Sequence, residues 1–496
     1  MKRYICKEKF KDGRVRIKVV DKDGRRRIGV KHIGVAHNEK EIDTLLILAR
    51  EEMRDPNQLE LKLFDDKEGV EQRIIQKRAY SKYLFESLGE IYDGLKFNEI
   101  KDETFKQMTI ARIIEPASKL DTIRILKKLG LEVATNTGIH RSLRRAIEKD
   151  YRRIISNRCC ERTTINKKTL LLYDVTTLYF EIDREDEYRK SGYSKERRLE
   201  PQIIIGLLVD KNGFPLALYS FEGNKAETKT IIPVLNEFKK EHKIDDITVI
   251  ADAGMLSAQN LDLIEEKGFK FVVGSRIAKM PYGIENNCKK DGMKLKDGET
   301  FEENQEFKRE GKDIKTARRV IYQYKQKRAD LDNRNIDKQI RKSEQQLKNN
   351  AQIKRAKFLK IVKSKKEIDY KAIREARLKA GIKGYVTNLS CEAQQVIDGY
   401  HNLFQVERSF RMSKTDLCAR PIFHQKRDSI EAHLTICFAA LAICRYIQDK
   451  TKISIKRFVQ RLELLQTGII KIGNNEYIAE PEIDFDTQQM INLLKF

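Results

Sequence analysis

The chain has 496 residues, enough for roughly two to four domains and a large core. Its 100 Lys and Arg outweigh 75 Asp and Glu, a net charge of +25. That surplus favours a polyanionic partner, nucleic acid first, although a Lys-rich composition from AT-rich coding would also produce it. Eight cysteines without a C-x-x-C pair argue against a zinc site and suit reduced, buried thiols.

The N-terminus has no apolar signal core, and the longest apolar run, "LTICFAALAIC" (434–444), is too short to cross a bilayer and reads as a buried helix. Residues 1–35 alternate polar and apolar between Asp12-Gly13 and Asp23-Gly24, which predicts a small β-hairpin region. Residues 36–165 read as a helical, DNA-binding region. Within it, "ETFKQMTIARIIEPASKLDTIRILKKLG" breaks at Pro116, restarts with Ser118 as N-cap and ends at Gly130, a pattern that suits a helix-turn-helix.

From 166 to 276 the pattern turns to strands. "TLLLYDVTTLYFE" (169–181), "QIIIGLLVD" (202–210) and "PLALYSFEG" (215–223) come first, the last two joined by Asn212-Gly213 as a tight hairpin turn. A helix at about 227–241, the apolar strand "DITVIADAG" (246–254), a helix at about 257–267 and "FKFVVGSR" (269–276) complete a mixed sheet with helices on its faces. Two of these strands carry an aspartate toward their ends, Asp174 and Asp252. A lone carboxylate in an apolar strand is costly. Two on neighbouring strand ends repel each other unless a cation lies between them, and Mg2+ suits carboxylate oxygens. The bland alternative is a turn or helix-cap role for Asp174.

Residues 277–380 interrupt the sheet. From about 316 to 379 they are strongly charged and free of Pro, which predicts long, solvated helices. Residues 351–379 hold eleven Lys and Arg against three acids, a local +8, which suits either a solvated face or a phosphate-contacting arm. The sheet pattern resumes at "KGYVTNL" (383–389), within a second core segment, 381–450, followed by a C-terminal region, 451–496. In "YHNLFQVERSFRMSKTDLCARPIFH" (400–424), taking 400–414 as one helix puts Tyr400, Leu403, Glu407, Arg411 and Lys414 within a face about 80° wide. A carboxylate, two cations and a phenol on one stripe are unusual for an amphipathic helix, though a surface Glu407–Arg411 pair would explain part of it. His424 fits either a DNA contact or packing; His433 reads as structural.

These segments resemble the DDE transposases of bacterial insertion sequences, in the branch with a Y-x2-R-x3-E-x6-K signature. Tyr400, Glu407 and Lys414 match its spacing, and Leu403 stands where the pattern has arginine. Arg408 or Arg411 is a candidate for the missing charge. "YDVTTLYFE", "GYSKERRLEPQIIIGL" (192–207), "IADAGM" and "QKRADLDN" (326–333) resemble the same branch, so the likeness runs from about 108 onward. It implies an RNase H-like α/β core with Asp174, Asp252 and Glu407 as the catalytic, metal-binding triad. It further implies two Mg2+ per active site, with Mn2+ as a substitute, and Tyr400, Lys414, Arg411 and Arg408 near the DNA phosphate. The loop with Gly192, Lys195, Arg197 and Arg198 would lie over the DNA backbone. The partners implied are DNA (terminal inverted repeats and target) and a second copy of the chain in the DNA complex, in the bacterial cytoplasm at the nucleoid. Some relatives stack a tryptophan on a flipped base; this chain has no Trp, so Tyr or Phe would serve or the role would be absent.

Three rivals remain at this stage. His424-Gln425-Lys426-Arg427 fits the H-x-x-R string of a tyrosine recombinase, with Tyr446 downstream as nucleophile. An inactive DNA-binding relative and an RNase H-like nuclease that cuts without joining are the others. No G-x-x-x-x-G-K-[ST] string occurs, which sets P-loop chemistry aside.

Overall fold

A computed structural model describes residues 2–10, 13–24, 26–53, 74–163, 168–181, 184–192, 200–226, 229–244, 246–252, 258–275, 295–308, 315–348, 357–362, 365–472 and 475–496. The chain divides into two compact units, Met1–Arg73 and Ile74–Phe496.

In the first unit, β1 (Lys2–Lys9), β2 (Val15–Asp23) and β3 (Arg26–Ala36) form an antiparallel sheet. Helix α1 (Glu39–Glu52) packs on β2 and β3, burying Ala49 with Val15, Ile17 and Val19. The expected hairpin is thus the first part of a three-stranded sheet.

The second unit opens with β4 (Ile74–Tyr80), which pairs with a C-terminal strand. A strand here departs from the mostly helical reading of this stretch. Five helices follow: α2 (Lys82–Gly94), α3 (Glu103–Ile114), α4 (Lys119–Lys128), α5 (Asn136–Glu148) and α6 (Tyr151–Arg162). The expected break holds: Ser118 caps α4, accepting from Asp121 N, and Gly130 closes the segment with φ +83°. Buried Asp102 ties three helices together. It caps α3 through Phe105 N, and its Oδ2 accepts from Ser142 and Tyr151 at 3.0 Å and pairs with Arg145 at 2.7 Å.

Among the described residues the central sheet has eight strands. Strands β5 (Lys168–Tyr179), β6 (Gln202–Val209) and β7 (Pro215–Glu222) form an antiparallel meander, with the β6–β7 turn at Asn212-Gly213 as the sequence predicts. After α7 (Ile231–His242), β8 (Asp246–Ala251) lies parallel to β5; after α8 (Ala258–Glu266), β9 (Lys270–Ser275) lies parallel to β8. A three-strand meander followed by two parallel strands beside its first strand is the RNase H-like arrangement. Strand β6 is buried throughout, as a strand covered on both faces must be.

The insertion is more β-rich than its charge suggests. β10 (Thr300–Lys308) and β11 (Lys315–Tyr324) extend the sheet, and α9 (Gln326–Lys348) is the long helix expected. A small hairpin of β12 (Leu359–Val362) and β13 (Lys365–Ile368) and α10 (Tyr370–Leu378) follow. The sheet resumes with β14 (Ile382–Thr387), antiparallel to both β9 and β11.

Next come α11 (Ala393–His401), α12 (Phe404–Thr415) and α13 (Arg427–Thr451). By length and composition α13 could cross a membrane, but its most apolar window is 94% buried here, packed by α3, α5, α6 and β7. It is the core helix anticipated from residues 434–444. Helix α14 (Ile455–Glu463), β15 (Thr467–Ile472), β16 (Asn475–Ala479) and α15 (Phe485–Asn492) end the chain, with β15 between β16 and β4.

Candidate active site

Strands β5 and β8 pair with an offset of 78 residues, Leu172 opposite Ile250. Continued two residues further, past the end of β8, the same offset would set Asp174 opposite Asp252. The offset of β8 and β9, continued by one residue, would set Gly274 opposite Asp252, and Gly274 pairs directly with Tyr385 of β14. Asp174, Asp252, Gly274 and Tyr385 would therefore form one row, of which Gly274 and Tyr385 are directly paired. Directly paired residues face the same side of a sheet, so this row presents one face.

Helix α11 lies on that face. A Cβ built on Gly399 would stand 3.3 Å from Ile250 Cδ1, and Ile250 shares the parity of Asp252. From the end of α11, Tyr400 reaches over Gly274 and donates its hydroxyl to Asp252 Oδ1 at 3.2 Å. Its ring meets Tyr385 edge-on at 5.0 Å. The opposite face is closed by α7, where Tyr173 Oη lies 3.0 Å from Thr230 Oγ1. The chain thus alternates a core tyrosine with a site aspartate at consecutive positions of β5.

Glu407 stands in the first turn of α12, which packs on β5 and β6. Burial pushes the Tyr400 phenol up, and the charges of Asp252 and Glu407 push the same way. Burial pulls the Lys383 amine down with help from Arg328, while Asp252 and Glu407 oppose the shift. Both acids therefore act electrostatically on the same two groups, Tyr400 and Lys383. Among the described residues no three His, Cys, Asp or Glu side chains stand at the spacing of a formed metal site. Of the three acids, Asp252 lines the cleft, and Asp174 and Glu407 are not among its lining residues. Their donor atoms are all hard oxygens, a set that fits Mg2+.

The cleft, about 630 Å³, is lined by Asp252, Tyr400 and Lys383 on the core side and by Arg328 and Asp332 of α9 on the other. Lys383 was not singled out from the sequence. Its Nζ lies 4.2 Å from the centre of the Tyr400 ring, a cation–π contact. The alternation of Lys383 with Tyr385 in "KGYVTNL" was the available signal, but it required the register of β14.

The remaining candidates divide. Residues 400–414 are not one helix: α11 ends at His401, and i→i+3 bonds from Leu403 N to Tyr400 O and from Gln405 N to Asn402 O tighten the junction. Leu403 is buried in the core at this junction and shares no open stripe with Glu407. Arg411 and Lys414 follow Glu407 by four and seven residues on α12, within about 40° of it. Arg408 lies near Arg445, whose guanidinium burial and the Arg408 charge pull down to about 10; this puts it toward the β6–β7 turn. It does not line the cleft, so a role replacing the signature arginine gains no support for it. Gly192 is described, but Lys195, Arg197 and Arg198 lie outside the described residues. His433 is fully buried, with Nε2 3.4 Å from Ala419 O, in keeping with a structural role. Tyr446 is buried too; its hydroxyl donates to Leu494 O at 3.2 Å and its ring stacks on Phe496. A nucleophile so enclosed removes the main support for the tyrosine recombinase reading.

The family described as Transposase DDE domain matches residues 165–443, more than half of the chain and the whole span that carries the three acids. The chain belongs to this DDE transposase family. It is accordingly a polynucleotidyl transferase with a DNA transposase type of activity. No curated protein matches it. Among solved structures, it is similar to a piggyBac transposase in a synaptic complex with hairpin DNA, at 10% identity and a TM-score of 0.37, over 83% of this chain and 74% of that one. In this DDE transposase the insertion between β9 and β14 supplies both sheet strands and one wall of the cleft.

Proposed function

We propose that this transposase cleaves DNA at the ends of a bacterial insertion sequence and joins the freed 3′-OH to target DNA, with Asp174, Asp252 and Glu407 holding two divalent metal ions. What supports this reading is the β5–β8 register, which continued past its last pair would set Asp174 beside Asp252, together with the reach of the Asp252 and Glu407 charges to the same tyrosine and lysine. Bound there, Mg2+ would supply charge neutralisation at the scissile phosphate and a water of lowered pKa. The protein's own groups do the rest. Tyr400 holds Asp252 in place through its hydroxyl. Lys383 and Arg328 bring positive charge to the cleft for a phosphate, and Lys414 and Arg411 continue it along α12. Two element ends need two such sites, so a pair of chains would act on one DNA complex.

The test uses a supercoiled plasmid carrying element ends, with Mg2+. Asp252→Asn and Glu407→Gln should each lower cleavage and strand transfer by at least about 100-fold while DNA binding persists. Cleavage at the parental rate by Asp252→Asn would sink the scheme. A pre-cut 3′-OH end that the parent fails to join would leave a nuclease instead.

A further inference from the structure

A second basic cavity, of about 440 Å³, opens where the α3–α4 turn and the start of α5 meet residues 418–424 and the first turns of α13. Its volume is within the roughly 300–1,000 Å³ typical of ligand sites. Arg112, Lys119, His140, Arg420 and His424 bring basic groups to it, and among its described lining residues none is acidic. Lys119 Nζ lies 3.3 Å from His424 Nδ1, and the His424 and His433 rings are 5.4 Å apart. Such crowding disfavours full protonation. Burial, with Arg112 adding to it, pulls the Lys119 amine down to about 8; burial, then Lys119, Arg112 and His140, pull His424 to about 4. A bound anion would relieve both.

Backbone dipoles point the same way. Helices α4, α5 and α13 all begin at this cavity, through Ser118, Asn136 and Ser429. The first turn of α13 follows Lys426, which makes no side-chain cap, and the amides of a helix start of this kind suit an anionic acceptor. At the rim, Phe423 is 72% exposed, an aromatic face beside a cationic pocket.

We propose that this cavity binds a backbone phosphate of a DNA strand, with the neighbouring base against Phe423. It is separate from the acid row. Arg420 lies over the ring of Tyr179, at 5.4 Å, and Tyr179 is five residues beyond Asp174 on β5, roughly 16 Å of strand. That is about five base-pair steps of duplex, so one DNA segment can meet both places. The inference rests on DNA being the substrate, as proposed above.

The full unmodified chain is labelled with an amine-acylating reagent near pH 8, and Lys119 is read by mass spectrometry, with and without a short duplex, in EDTA. Anisotropy follows binding of the same duplex. Duplex should protect Lys119 where inorganic phosphate does not. The Arg112→Gln, Lys119→Gln pair should lower affinity about tenfold and reduce the salt slope by about 1. Unprotected Lys119 in a chain that binds the duplex overturns this site and leaves the transposase reading standing. Protection by inorganic phosphate alone makes it a free-anion site and overturns it as well. Failure of the parent chain to bind any duplex removes both readings.

Discussion

Gly274 is where a missing side chain shapes the cleft. A Cβ there would stand 2.6 Å from Tyr400 Oη and 3.2 Å from its Cζ, so any side chain would drive the phenol away from Asp252. Strand interiors otherwise disfavour glycine, and close approach of another group is one of the few reasons for it. Gly274→Ala should therefore cost about 1–3 kcal/mol through overpacking. In a Tyr400→Phe background the shortest contact is gone, so the same change should cost about 1 kcal/mol less. Urea unfolding of the four proteins measures this, and equal costs in both backgrounds would refute the contact. The two aspartates stand out in the sequence because a carboxylate in an apolar, β-branched run has few inexpensive explanations. Lys383 was not, since its place beside Tyr400 comes from a pairing register that no local pattern encodes. Leu403 shows the reverse limit: a spacing rule put it on the site face, but a tightened junction turns it into the core.

Between elements, the insertion is joined to the core by more than sheet hydrogen bonds. Arg318 of β11 is 2% exposed and pairs with Asp262 and Glu265 of α8, the latter at 2.8 Å. A buried cation serving two carboxylates holds the added strands against the helix that precedes β9. Removing it strands two half-buried acids, so Arg318→Ala should destabilise the protein by about 3–5 kcal/mol. Arg318→Met with Asp262→Asn and Glu265→Gln should recover much of that loss. Thermal unfolding compares the three; a single replacement within about 0.5 kcal/mol of the parent would show the pair to be idle. These strands escaped the helical reading for a physical reason. β10 and β11 carry "TFEENQEFK" and "KTARRVIYQY", and β10 is an edge strand, where charge is favoured because it discourages further pairing. Charge density without Pro therefore pointed to solvated helix in both the stretch that became α9 and the stretch that became β11. The core strands β5 to β9 were legible because burial on both faces leaves an almost unbroken apolar run.

At the scale of the whole molecule, a net charge of +25 opposes compaction, increasingly so as acids protonate. The core helix adds a specific weakness. His433 is buried on α13, with Cys437 Sγ 3.6 Å and Ala419 O 3.4 Å from its Nε2. Burial first, then Arg112 and His424, hold it far below the ordinary value of about 6.5. A depressed histidine binds its proton in the unfolded chain before it does so in the folded one. Stability is therefore unaffected above about pH 6.5 and falls as pH drops below it, down to the folded pKa. Asp210 and Glu241, raised mainly by burial, act in the opposite sense, so the informative quantity is a difference between proteins. His433→Gln keeps a donor for Ala419 O and cannot titrate. Relative to this variant, the parent should lose stability with a slope approaching one proton per molecule between about pH 6.5 and 4.5. Urea midpoints at fixed ionic strength give that slope. Parallel curves for parent and variant across the window would mean that His433 carries no titration linkage to folding.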